Sequence, residues 1–144
     1  MSIVTMRANL TDSDIRTLIK GPTEDDRAQA ARKICRCIEE AELSAEERAH
    51  AEGIIAIMAQ DAAALVRRAL AVALKNSPKL PRDIATRLAQ DIDSIALPVI
   101  MNSPVLTDAD LVAIVRASPP SKQIAVASRE TLSVTVTGAI SEFA

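Results

Sequence analysis

Apolar residues recur along this chain at intervals of three, four and seven, the spacing that collects side chains on one face of an α-helix. Ala31, Cys35 and Ile38 form one such stripe. Ala51, Ile54, Ile55 and Met58 form a second, and Leu65, Val66, Ala69, Leu70, Ala73 and Leu74 make a broader band. The polar residues between the stripes mark where helices begin. A leucine directly precedes a helix-starting residue at Leu10-Thr11, Leu43-Ser44, Leu80-Pro81, Leu106-Thr107 and Leu132-Ser133. Ser44 with Glu47, and in weaker form Thr11 with Asp14 and Thr107 with Asp110, have capping-box spacing. Thr23 with Asp26 opens a long helix running to about Ala41, and Asp61 opens another. Pro81 suits a first helical turn, where its missing N–H costs nothing. Leu80 is placed to staple onto Ile84, and Leu132 onto Val136. Pro78, Pro98, Pro104, Pro119 and Pro120 are expected to cut the second half into short helices.

Superposed on this pattern is an internal repeat. The phrase "NSPKLPRDI" beginning at Asn76 returns as "NSPVLTDAD" beginning at Asn102, a shift of 26 residues. In strict register Leu80, Leu106 and Leu132 align, as do Leu88, Ile114 and Ile140, then Leu74, Ile100 and Val126, then Ala73, Val99 and Ala125. The turn is less faithful, because Asn76-Ser77-Pro78 and Asn102-Ser103-Pro104 are followed by Ser128-Arg129-Glu130. Each unit reads as helix, turn and helix, and stacking such units buries a face that one unit cannot bury alone.

The run "LVRRALAVALKNSPKLPRDIATRLAQDID" resembles the leucine-rich variant repeat, a short relative of HEAT-type α-solenoid repeats. The likeness lies in its Val-Arg, its alanine-rich first helix, its Asn-Ser-Pro turn and its closing Leu-Ala-x-Asp. The second copy departs from it, with Ile95-Ala96-Leu97-Pro98 where Val-Arg belongs. The chain also resembles the opening part of an uncharacterised family of alphaproteobacterial proteins that carry phrases like "SPVLTDADL". The resemblance spans about Asp61 to Ile140 and implies an α-solenoid whose relatives mostly bind other macromolecules.

Composition agrees with a helical protein. Of the 144 residues 49% are apolar and 25% charged, ordinary values for a folded domain and too interrupted by charge for a membrane span. The sole aromatic is Phe143, and Ala, Leu, Ile and Val dominate, whereas a β-sandwich draws on more aromatic filler. Met1 to Asn9 holds one arginine and no apolar run of signal-peptide length, so a cytoplasmic setting with reduced cysteines is expected. The expected architecture is a single all-α domain over 1–144, with N-terminal helices over 10–60 and helical repeats over 61–143.

Candidate chemistry is sparse. Cys35 and Cys37 are two apart on a helix, so their side chains diverge and suit neither a disulfide nor a shared zinc. His50, the only histidine, follows Glu46 by one turn. It reads as a surface pair, with a phospho-accepting histidine beside Arg48 and Gly53 as the alternative. Neither a glycine-rich phosphate loop nor a nucleophile with a supporting base is evident. No enzyme activity and no cofactor are expected. Arg32, Lys33, Arg36, Arg67, Arg68, Arg82 and Arg87 form a possible nucleic-acid stripe. Against it stand a net charge of −2, the lack of stacking aromatics and the interleaved Asp25, Asp26, Asp83 and Asp91.

The expectation is therefore a non-catalytic protein-interaction or scaffold module. Its contact surface is assigned to Arg82, Asp83, Thr86, Gln90, Asp108 and Arg116, on the side away from Ile84, Leu88, Leu111 and Ile114. In the closing helix Val136 and Ile140 should face inward, while Val134, Ala139 and Phe143 face the side where a further repeat would stack. The ending "SEFA" offers little polar cover, which predicts either a longer natural chain or a homodimer through this helix.

Overall fold

The computed structural model describes residues 12–143. Among them are nine helices and no strand: α1 (Asp12–Lys20), α2 (Glu24–Glu40), α3 (Ala45–Ala59), α4 (Ala64–Leu74), α5 (Arg82–Ala89), α6 (Asp93–Asn102), α7 (Asp108–Ala117), α8 (Pro120–Ala127) and α9 (Val134–Phe143). They divide into two compact units, Met1–Leu74 and Lys75–Ala144. The start expected at Leu10-Thr11 lies outside the described residues.

The helix starts follow the local chemistry. Ser44 accepts from the Glu47 N–H at 3.2 Å while the Glu47 carboxylate accepts from the Ser44 N–H at 2.8 Å, a reciprocal capping box. Thr107 and Asp110 repeat it at 3.2 and 2.9 Å. Thr23 and Ser133 cap α2 and α9 by accepting from the N–H groups of Asp26 and Val136. Pro81 stands one position earlier than expected, as the N-cap of α5 rather than its first turn. Its extended ψ of 141° suits a residue that introduces a helix without belonging to it.

In the first unit α2 packs on α1 and on α4, and α3 packs on α4. The interior holds Leu18, Ile34, Cys35, Ile38, Ile55, Met58, Val66 and Leu70. Arg27 ties the connections together. Its Nε and Nη2 donate to both oxygens of Asp61 at 3.0 and 3.2 Å, and its Nη1 donates to the Gly21 carbonyl at 3.2 Å. Asp61 also accepts from the Ala63 N–H at 2.9 Å, and Arg67 donates to the Asp61 and Ala62 carbonyls. Burial pushes the Asp61 carboxyl up, but Arg27 and the Ala63 N–H together hold it below the usual range. Gly21 ends α1 so closely that a Cβ there would lie 2.5 Å from the Thr17 carbonyl oxygen.

In the second unit α5 packs on α6, α6 on α8, α7 on α8, and α9 on α7 and α8. Each of α6 and α7 therefore meets the helix next but one in the chain. Asn76, Asn102 and Ser128, equivalent at the 26-residue shift, line one cleft of about 480 Å³. Ser77 and Ser103 are buried in the first two turns, and their hydroxyls accept from the N–H groups of Lys79 and Val105. Arg129 takes the equivalent place in the third turn. Its guanidinium donates to the Ile100 carbonyl at 2.7 Å and to the Ser103 carbonyl at 2.9 Å, which satisfies the end of α6. Burial lowers the Arg129 pKa from its ordinary value.

Three further expectations change. Pro98 does not break its helix: α6 runs through it, with Ile95, Ala96, Val99 and Ile100 fully buried around it. Burial of that face against α8 outweighs the loss of one backbone bond. Ala73 is exposed and Ala71 buried, so the interior band of α4 is rotated from the predicted one. In α7 the buried pair is Leu111 and Val115, and Ile114 is only half-buried.

Leu80 and Leu106 are 0% and 6% exposed, whereas Leu132 is half-buried. Leu106→Ala should cost about 2 to 4 kcal/mol in denaturant unfolding, Leu132→Ala less, and exposed Asp108→Ala under about 1 kcal/mol. Equal small losses for all three would refute the interior role of this column.

Candidate interaction groove

The second unit carries a groove of about 370 Å³ between α5, α7 and the start of α8. Thr86 and Gln90 come from α5 and its C-cap, Asp110 and Ile114 from α7, and Ser118 and Lys122 from the entry and first turn of α8. Small residues, Ala89, Ala113 and Ala117, open the space between them. The 26-residue register makes the two charged members conspicuous. Asp110 occupies the column of Ile84 and Val136, and Lys122 that of Leu70 and Ala96, all four of them buried.

Asp110 is fixed by charge-assisted bonds. Arg82 donates to its two oxygens at 2.8 and 2.7 Å, and the Thr107 N–H adds a third bond at 2.9 Å. Arg82 is the main reason its carboxyl falls from the usual 3.8 to about 2, with the Thr107 N–H assisting against partial burial. Lys122 is 8% exposed and donates through Nζ to the Asp91 carbonyl at 2.9 Å, just beyond the C-terminal end of α5. A cation there faces the negative end of the helix. Gln123 braces the entry to α8 by donating to the Val115 and Ser118 carbonyls.

The predicted contact residues divide. Thr86 and Gln90 both line the groove, and Arg82 sits beside it through Asp110. Asp83 is exposed on α5, where its carbonyl accepts from the Thr86 hydroxyl at 2.9 Å. Asp108 and Arg116 are exposed on α7 and do not line the groove. Arg116 lies 3.8 Å from Glu142, and both side chains are more than half exposed, so the pair contributes little. Val134 is 90% exposed at the first turn of α9, and Val136 is buried as expected. Ala139, expected outward, is 4% exposed, because α9 lies on α7 and α8 and leaves its small residue facing them. The side chain of Phe143 lies outside the described residues.

His50 is exposed on α3, as is Glu46 one turn before it. Cys35 is buried with its sulfur 3.6 Å from that of Met58, and burial pushes its thiol up to about 12, which makes it a poor nucleophile. Cys37 is partly buried, and its thiol is also raised, chiefly by burial. Among the described residues no group of three His, Cys, Asp or Glu could hold a metal ion, and no helix is long and apolar enough to cross a membrane. Three members of the suggested basic stripe are engaged internally: Lys33 with Asp14, Arg67 with carbonyls of its own turn, and Arg82 with Asp110.

Residues 95–144 match a bacterial family described as "Uncharacterised protein conserved in bacteria (DUF2336)". No curated protein and no solved structure matches the chain.

Because the Asp110 carboxyl is lowered on folding, its contribution to stability is present above about pH 4 and is lost as pH falls through about 2. That contribution is at most about 2 kcal/mol, and smaller to the extent that Arg82, 58% exposed, is screened by solvent. Asp110→Asn should therefore destabilise the protein by about 1 kcal/mol at neutral pH, with the difference from wild type shrinking toward pH 2. A pH-independent difference in chemical unfolding would contradict this.

Proposed function

We propose that the chain is a non-catalytic protein-interaction module whose second unit is a short two-layer α-solenoid of HEAT-like, leucine-rich-variant type. The meeting of α6 with α8 and of α7 with α9 supports the solenoid reading, as does the shared cleft of the three equivalent turns. The match over residues 95–144 supports kinship with the bacterial family that the sequence resembles, and we extend this to its alphaproteobacterial, cytoplasmic members.

The observation that carries the interaction reading is the groove itself. Two charged residues in otherwise apolar repeat columns both line it, beside the exposed Gln90 and half-buried Thr86. Its one carboxylate is held ionised with a pKa of about 2, far from the range useful for proton transfer at neutral pH. Its lysine serves a helix end. A cleft with small apolar walls and fixed polar groups suits a partner's side chains better than a reacting substrate.

Ala113→Arg and Gln90→Arg should fill the groove, since both positions are exposed, and leave helical content unchanged. Quantitative mass spectrometry of affinity-purified complexes should then show partners lost from both variants and retained by Arg48→Glu, a control on α3. An identical partner set from all three would refute the groove as the contact surface.

The bare Val134 supports a second contact, between copies of this chain through α9. Sedimentation should detect a dimer that forms with rising concentration and is weakened by Val134→Asp. A strict monomer up to millimolar concentration would overturn it.

A further inference from the structure

Nearly every arginine and lysine described in the first unit has an internal partner or a carboxylate close by in the chain. Arg27 holds Asp61, Lys33 holds Asp14, and Arg67 is turned onto the carbonyls of Asp61 and Ala62. Arg16, Lys20, Arg36 and Arg48 each have an acid four residues away, at Asp12, Glu24, Glu40 and Glu52. Arg32 and Arg68 are the two left over. The residues one turn from Arg32 are Ala28, Gln29, Cys35 and Arg36, and those one turn from Arg68 are Ala64, Leu65, Ala71 and Val72. Neither set contains an acid.

These two arginines come together. Both are exposed, and they line one cleft of about 280 Å³ where α2 packs on α4. Between them lie Leu65, Ala69, Val72 and Ala73. Val72 is 48% exposed, Ala73 is exposed and Leu65 is half-buried, so the floor is apolar and open to water. Two cations with no hydrogen-bond or ion-pair partner among the described residues, over an exposed aliphatic strip, call for an occupant with an apolar ridge and flanking carboxylates.

We infer that this cleft receives an acidic amphipathic helix of a partner protein. An apolar ridge on that helix covers Val72 and Leu65 in the helix-in-groove manner, and its flanking Glu or Asp side chains pair with Arg32 and Arg68. The alkyl stems of both arginines extend the apolar contact while their heads reach the carboxylates. A nucleic acid fits less well. Its phosphates would satisfy the arginines but leave the aliphatic floor uncovered, and Phe143 is the chain's only aromatic residue available for stacking. All six residues belong to the first unit, and the site shares none of them with the α5–α7–α8 groove.

The test uses the full chain and three fluorescent helical peptides of about four turns. One carries leucines at i, i+4, i+7 and i+11 flanked by glutamates, the second has lysine for every glutamate, and the third has serine for every leucine. The acidic amphipathic peptide should bind, more weakly as salt rises from about 50 to about 300 mM, and the other two should bind at least about tenfold less tightly. Arg32→Glu with Arg68→Glu should weaken the acidic peptide about tenfold or more and, because both side chains are exposed, preserve helical content. If that pair disturbs folding, Arg32→Gln with Arg68→Gln should still reduce binding and its salt dependence. Ala113→Arg should leave this binding intact, which separates failure here from failure of the groove assignment. Absence of binding at millimolar peptide, indifference to peptide charge, or an unchanged affinity in the arginine variants would each overturn the proposal. So would a DNA oligonucleotide that binds in an arginine-dependent way where the acidic peptide does not.

Discussion

Helices of eight to seventeen residues built from alanine, leucine, isoleucine and valine do not persist alone in water; each depends on a neighbour that covers its apolar face. That requirement shapes both units. With a single aromatic residue in the chain, space is filled by aliphatic side chains, and fully buried alanines such as Ala28, Ala31, Ala85 and Ala96 let neighbouring helices approach closely. Helix propensity is secondary to such burial. Pro98 demonstrates the order of magnitudes, since a residue that should end a helix is carried through α6 by the interior residues on either side of it.

Close aliphatic packing leaves little interior room for polar groups, so polar chemistry collects at helix ends and turns. Carbonyls that have lost their helical partners become acceptors for long cationic side chains. Arg27 serves Gly21, Arg67 serves Asp61 and Ala62, Lys122 serves Asp91, and Arg129 serves Ile100 and Ser103. Two of the carboxylates are drawn into bidentate pairs of the same kind, Asp61 with Arg27 and Asp110 with Arg82. The cations outside this system of internal bonds are the informative ones. Among the described cations of the first unit, Arg32 and Arg68 have neither such a bond nor an acid three or four residues away in the chain, and they line one cleft.

The near-neutral balance of charge conceals this sorting. A net charge of −2 describes the sum and says nothing of which arginines are engaged. Lys33, Arg67 and Arg82 look as basic in the sequence as Arg32 and Arg68, yet their charges or donors are committed to groups inside the same unit. The recognition by charge proposed above therefore rests on Arg32 and Arg68, which line a cleft beside the exposed Val72.

Local chemistry was legible in the sequence. Capping at Thr23, Ser44, Thr107 and Ser133, the helical class and the burial of Leu80, Leu88 and Leu106 all follow from short-range rules of hydrogen bonding and helical period. Thr86 and Gln90 were reachable too, because an outward face follows from an inward one. The 26-residue register also carries a signal for the groove, because Asp110 and Lys122 interrupt apolar columns, which marks them as residues with partners of their own. What tertiary structure alone decided was pairing across distance. Asp61 lies 34 residues from Arg27, Asp110 lies 28 from Arg82, and Asp91 lies 31 from Lys122. A side chain's periodicity reports the face it occupies on its own helix, whereas its partner depends on how neighbouring helices are rotated against one another. The interior face of α4 is rotated so that Ala71 is buried and Ala73 exposed, and the packing of α9 on α7 and α8 buries Ala139. That rotation is set by the summed fit of many small aliphatic contacts, which no short stretch of the sequence contains.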